Sequence, residues 1–141
     1  MFFGEYSYKV DDKGRVPLPP KFRRELREGI ILAKGMGEKC IAVYPVAEWK
    51  RLSDSLAAKA VTPANLRKLN RAIFSSAFGV SFDGQGRITL PYLLREYASI
   101  ADTAVVVGAN THVELWSQDG WKAEQTSAEE RASQIIESFG V

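Results

Sequence analysis

Apolar and polar residues alternate along the chain with two periods. Tyr6 to Val10 (YSYKV) and Phe78 to Phe82 (FGVSF) are apolar at every second position, as in a strand with one buried face. Each leads into a turn-forming stretch, Asp11 to Gly14 (DDKG) and Asp83 to Gly86 (DGQG). There an aspartate can bond back to its own backbone and a glycine accepts a positive φ. Arg15 to Leu18 and Arg87 to Leu90 then read as return strands, which predicts a β-hairpin with a glycine–arginine tip in each place. Pro19, Pro20 and Pro91 open short helices over residues 21–28 and 92–99, because a missing N–H costs nothing in a first turn. Gly29 ends the first of them. Strand pairs follow at 30–33 with 40–44 and at 103–107 with 112–116, joined by tight loops at Gly35–Gly37 and Gly108–Asn110, each trailed by a helical turn bearing a tryptophan. Two longer helices lie outside this scheme. Thr62 caps one, with Pro63 at its first position and Leu66, Leu69, Ile73 and Phe74 on its apolar face. Ser127, with Glu130 three residues on, predicts a capping box for the last, whose apolar side is Ile135, Ile136 and Phe139.

These elements occur twice. Placing Gly14 on Gly86 sets an offset of 72 residues. The same offset pairs Asp11 with Asp83, Arg15 with Arg87, Leu18 with Leu90, Pro19 with Pro91 and Arg23 with Arg95. It runs on without a gap to Tyr44 and Trp116, Trp49 and Trp121, and Lys50 and Lys122. A copy of about 60 residues buries too little surface to be comfortable alone. The expected organisation is a first repeat over 1–60, a connecting helix over 61–75, and a second repeat with the C-terminal helix over 76–141, all on one shared core.

Composition narrows the function. Of 141 residues 45% are hydrophobic and 26% charged, the mix of a soluble globular protein rather than a disordered one. No apolar run approaches the roughly 18 residues of a membrane span. The N-terminus lacks the basic stretch and long apolar run of a secretory signal. One cysteine permits no intramolecular disulfide, which points to the cytoplasm. One cysteine and one histidine cannot make a structural zinc site. There is no phosphate-cradling glycine loop, metal cluster or acid–base pair; Gly35–Gly37 lies between strands without the helix a nucleotide site needs. No enzyme activity, cofactor or small-molecule substrate is expected.

The net charge of +2 conceals an asymmetry. Residues 9–27 hold seven basic and three acidic groups, whereas the equivalent residues 81–99 hold two of each. Residues 50–72 carry six basic groups against Asp54, and the chain from Asp119 onward has two basic and five acidic groups. A two-stranded ribbon fits the major groove, and arginine grips guanine O6 and N7 with two hydrogen bonds. A solvated turn carrying lysine and arginine would give the same charge pattern. Arg15 is therefore either a base reader or the partner of Asp11 at the strand start, with Lys9, Lys13 and Lys21 supplying phosphate charge. Arg24 and Arg27 face Glu96 and Ser99 in the second copy, which marks them as phosphate contacts particular to the first. Arg87 recurs in the neutral copy and reads as structural. Arg23 and Arg95 recur together and read as ion-pairing residues inside the fold. Trp49 and Trp121 read as core anchors. Cys40 and His112 are equivalent, so one place accepts either residue, which argues against a ligand or nucleophile there.

The doubled D-x-x-G-R-x-x-L-P-x-x-x-R, the Phe2–Gly4 opening, Val43 to Trp49 (VYPVAEW) and Glu114 to Trp116 together resemble the MraZ family of bacterial transcriptional regulators. The resemblance implies an α+β fold of two tandem AbrB-like swapped-hairpin units in a pseudo-dimeric barrel with flanking helices. It also implies a ring of subunits on double-stranded DNA, in the cytoplasm at the nucleoid and not at a membrane. Family members bind direct G-rich repeats in the promoter of the division and cell-wall gene cluster, usually to repress it. The expected DNA contacts fall on Lys13 and Arg15; in the second motif Gln85 replaces the lysine. Head-to-tail contacts close into rings, and charge suggests the acidic C-terminal helix against the basic central one as the contact. The alternative is a swapped-hairpin antitoxin or a regulator acting through a protein partner. Such proteins usually carry one unit and an unstructured tail, whereas this chain has two units and a helix at its end.

Overall fold

A computed structural model describes residues 1–60 and 62–140. The expected boundaries at 61 and 141 fall on the two residues outside the described set. β1 (Glu5–Lys9) and β2 (Arg15–Pro17) flank the first turn, and β5 (Phe78–Val80) and β6 (Arg87–Thr89) the second. They do not pair as hairpins. β1 lies against β7 (Thr103–Gly108) of the second copy, with Tyr6 opposite Val106. β5 lies against β3 (Ile30–Lys34) of the first, with Phe78 opposite Leu32. β2 and β6 pair with each other, Val16 opposite Ile88. β4 (Ile41–Pro45) and β8 (Val113–Trp116) join the halves. The main sheet therefore runs β1-β7-β8-β4-β3-β5, an order that reads the same when the copies are exchanged.

Only the turn of each predicted hairpin is realised. The Gly14 N–H donates to the Asp11 carbonyl at 3.0 Å and the Asp11 N–H to the Arg15 carbonyl at 3.0 Å, after which the strands part. A lone short hairpin is marginal in water. Exchange instead sinks Val16 and Ile88 into the shared interior, at 0% and 1% exposure. The fold is α+β, with a mainly antiparallel sheet and, among the described residues, five helices. β1 and β5 end the sheet and the ribbon belongs to no other ladder, so the strand pairings do not make the expected barrel.

The repeat is not gapless. Leu32 and Val106 hold equivalent places in the two strand exchanges and lie 74 residues apart. The loop between β3 and β4 spans residues 35–40, whereas that between β7 and β8 spans 109–112, which restores the offset of 72 by β8. Two residues added before β7 thus offset two removed after it. An even slip keeps every side chain on its own face of the sheet.

One sheet face, with Tyr6, Leu32, Val43 and Val106, packs on the ribbon, on Phe22 of α1 (Pro20–Glu25) and on Leu94 of α4 (Tyr92–Tyr97). Both copies supply this core. Val105 and Val107 alternate onto the other face, where they cluster with Cys40, Trp116 and Trp121 of α5 (Gln118–Ser138). Also outside the main core, Trp49 of α2 (Val46–Lys59) packs 5.4 Å from Tyr44 and 5.1 Å from Phe74 of α3 (Pro63–Phe74). The two tryptophans therefore anchor helices to the sheet's flank and remain half-buried; they are not central core residues.

Thr62 caps α3 as expected, accepting from the Asn65 N–H at 3.1 Å. Ser127 does not cap the last helix. α5 begins ten residues earlier, where the Ser117 hydroxyl accepts from the Gly120 N–H at 3.0 Å. Trp121 docks on Trp116 and fixes that first turn, and nothing between Lys122 and Ser127 interrupts the helix. No helix among the described residues is long and apolar enough to cross a membrane.

Candidate nucleic-acid interface

Because Val16 and Ile88 point inward, alternation turns Arg15, Pro17, Arg87 and Thr89 to the outer face of the ribbon. Arg15 opposes Thr89 and Arg87 opposes Pro17, so the two arginines are diagonal neighbours. The turns aim them. Asp11 accepts the Lys13 and Arg15 N–H groups at 3.0 and 2.8 Å on one oxygen and Arg15 Nε at 2.6 Å on the other. Asp83 repeats this with Gln85, Arg87 and Arg87 Nε, each at 2.9 Å. Gly14 and Gly86 take φ of +77° and +75°, the left-handed region that closes each turn.

The turns are joined electrostatically. Arg87 Nη1 lies 3.6 Å from Asp11 Oδ2, so Arg15, Asp11, Arg87 and Asp83 form one chain of alternating charge across the ribbon. The Nε bond uses one edge of the Arg15 guanidinium. Its terminal nitrogens donate to no protein atom among the described residues. Arg15 is thus the partner of Asp11 through Nε, with its terminal nitrogens unpaired among the described residues.

Backbone donors, foremost the Arg15 N–H for Asp11 and the Arg87 N–H for Asp83, hold both carboxyls below the ordinary aspartate value. A depressed folded-state pKa gives stability that is full above the unfolded value and lost as pH falls through the folded one. We expect a carboxyl-resolved NMR titration to find both midpoints on the acid side of the unfolded chain's; midpoints at or above it would disprove the turn assignment.

Each turn also rests on the other copy. A Cβ at Gly14 would lie 3.0 Å from Arg95 Nε, and one at Gly86 would lie 2.6 Å from Arg23 Nη1. Arg23 Nη1 donates to the Leu18 carbonyl at 2.8 Å. Neither arginine forms an ion pair among the described residues, which corrects the expectation of a carboxylate partner. Their partners are a turn glycine and a carbonyl, and no sequence pattern announces those.

The remaining candidates are dispersed. Lys13 is exposed at the first turn, and Lys9 is exposed on the strand leading into it. Arg24 is exposed on the last turn of α1; Arg27 is exposed beyond it, 3.9 Å from Glu28. The Lys21 ammonium stands 4.4 Å from the Phe3 ring, 5.5 Å from Tyr6 and 5.8 Å from Phe22, so its charge is engaged by aromatic faces. The bond of Arg87 to Asp83 agrees with a structural role, and Arg87 reaches Asp11 as well. Elsewhere, burial foremost, then nearby Glu114 and Glu38, pushes the Cys40 thiol far above its ordinary range, and the side chain is 1% exposed. His112 pairs with Glu114 at 3.0 Å and stacks on Tyr44.

The family described as "MraZ protein, putative antitoxin-like" matches residues 1–71 and again 73–138, one match for each copy. A protein of Dehalococcoides mccartyi named "Transcriptional regulator MraZ" is 50% identical over 99% of this chain and 98% of its own length. Proteins of the same name from Frankia alni and Halothermothrix orenii are 46% and 40% identical, over 97% and 100% of this chain and 95% and 100% of theirs. With matches over both repeats and nearly the whole length, the chain belongs to the MraZ family.

Proposed function

We propose that this protein is a DNA-binding transcriptional regulator, acting as a repressor, that reads direct G-rich repeats upstream of division and cell-wall genes through the first turn of its ribbon. The observation that carries the reading is the outward Arg15, held at one edge by Asp11 and free at the other, beside the exposed Lys13. The name carried by the relatives supports regulation of transcription. Arg15 takes guanine, Lys13 and Lys9 take phosphate, and Arg24 and Arg27 add charge at the flank. Lys21 steadies the N-terminal segment through its rings. The two repeats act as one body, with α3 (Pro63–Phe74) between them. A single weak reader gains affinity when several sit on one oligomer, because linked sites raise effective concentration.

The test is fluorescence anisotropy on duplex from upstream of the protein's own gene and on a shuffled duplex. The wild type should prefer the first. Lys13→Ala should weaken both alike and make the log K against log salt slope shallower by about 0.9 for the one phosphate lost. Equal binding of the two duplexes by the wild type ends the reading.

A further inference from the structure

We infer that Arg95, which comes from the second copy, is a positioning residue for the first turn: its guanidinium backs Gly14 and sets how Lys13 and Arg15 meet a duplex. The inference rests on the reading of Arg15 above and names what holds that reader in place. A Cβ built on Gly14 would stand 3.0, 3.1 and 3.3 Å from Nε, Cζ and Nη2 of Arg95. Near-equal distances to three coplanar atoms mean that the guanidinium turns its flat face to the glycine. Gly14 is accordingly buried, although the Lys13 next to it is exposed. The bonds that Asp11 accepts all lie within residues 11–15. They give the turn its shape and do not place it on the body.

Besides the ladder between β2 and β6, the second copy meets this turn in three ways. The Leu90 N–H donates to the Gly14 carbonyl at 2.8 Å, Arg87 lies 3.6 Å from Asp11, and Arg95 backs Gly14. Arg95 has no other polar task. Its Nε is buried without a hydrogen-bond partner, and it forms no ion pair among the described residues. An unpaired buried donor costs free energy and calls for an explanation. A flat plate against the reading turn supplies one. The Tyr92 ring, one helical turn back on α4, steadies the plate at 5.9 Å from Cζ. Arg23 holds the matching place in the first copy. A Cβ on Gly86 would stand 2.6, 2.8 and 2.9 Å from its Nη1, Cζ and Nε. Support is therefore crossed: the second copy carries the turn with Lys13, and the first copy carries the turn with Gln85. A binding group must be held within about 0.5 Å of its productive place by neighbours locked in turn by their own packing. Arg95 is such a neighbour for Arg15.

Crossed support gives the test its own control. Arg95→Lys keeps the charge and removes the flat face, and Arg23→Lys does the same at the second turn. In the free protein, NMR amide exchange at Lys13, Gly14 and Arg15 should quicken in Arg95→Lys and keep its wild-type rate in Arg23→Lys. The pattern should reverse at Gln85, Gly86 and Arg87. Quickening at both turns in one variant, or at neither, overturns the inference. On duplex, Arg95→Lys should lose most of the guanine preference, about tenfold for a bidentate arginine, while Arg23→Lys keeps it. With Arg15→Ala already in place, Arg95→Lys should change that preference no further. A further drop would mean that Arg95 acts apart from Arg15 and would overturn the positioning role. Arg95→Met removes the charge as well and should leave the slope of log K against log salt unchanged. A slope shallower by about 0.9 would make Arg95 a phosphate contact instead. If both Arg95 variants fail to fold, the residue serves the fold alone and the inference falls. If the wild type has no guanine preference, the DNA reading fails by itself, and the exchange rates still decide whether Arg95 carries the first turn.

Discussion

Arg15→Ala is expected to cost the complex with duplex about 1–3 kcal/mol per engaged subunit and to relax the preference for guanine. Two effects act together. The grip on a base edge is lost, and Asp11 is left facing the phosphates with one cation fewer. Asp11 keeps Arg87 at 3.6 Å and the Lys13 N–H, so the turn should survive. The melting temperature and the oligomer mass should therefore be unchanged. Anisotropy on duplexes differing at single guanines reads the outcome. An equal loss on every sequence would make Arg15 a phosphate contact. A collapse of the melting temperature would make the Asp11 pair its whole role.

Phe22→Ala should produce the larger effect on stability, about 3–5 kcal/mol. Phe22 is 1% exposed and meets Phe2 and Tyr6 edge-on at 5.4 and 5.7 Å. Removing the ring opens a cavity where α1, the N-terminal segment and β1 meet. Leu94 holds the matching place in the second copy, and both side chains lie in one cluster. Damage to either should therefore shift a single cooperative urea transition rather than split it. A variant whose two halves unfold at separate midpoints would refute the shared core.

The sequence pattern exposed the strands, both turns, the doubled motif and the Thr62 cap, because alternation, Asp–Gly turn chemistry and capping are local. Pairing was hidden. Tyr6 finds Val106 and Phe78 finds Leu32 through burial summed over the whole body, which no neighbouring residue encodes. The two-residue slip was masked because insertion and deletion cancel between matching motifs. Ser127 misled because a capping box is only permissive: an earlier cap, Ser117, with Trp121 seated behind it, had already begun the helix. At the site, Asp11 and Arg15 could be paired from their spacing. Arg95 beneath Gly14 could not, since a guanidinium packed on a turn from the other copy leaves no mark in composition or periodicity.

Joining both copies in one polypeptide releases them from identity. In a dimer of separate identical chains, any change at one fingertip is made at both, and the reader looks the same from either end. Here Lys13 and Gln85 occupy the same corner of the same turn yet differ in charge. Such an object has a front and a back, so it can follow a polarity along a strand that a symmetric clamp is blind to.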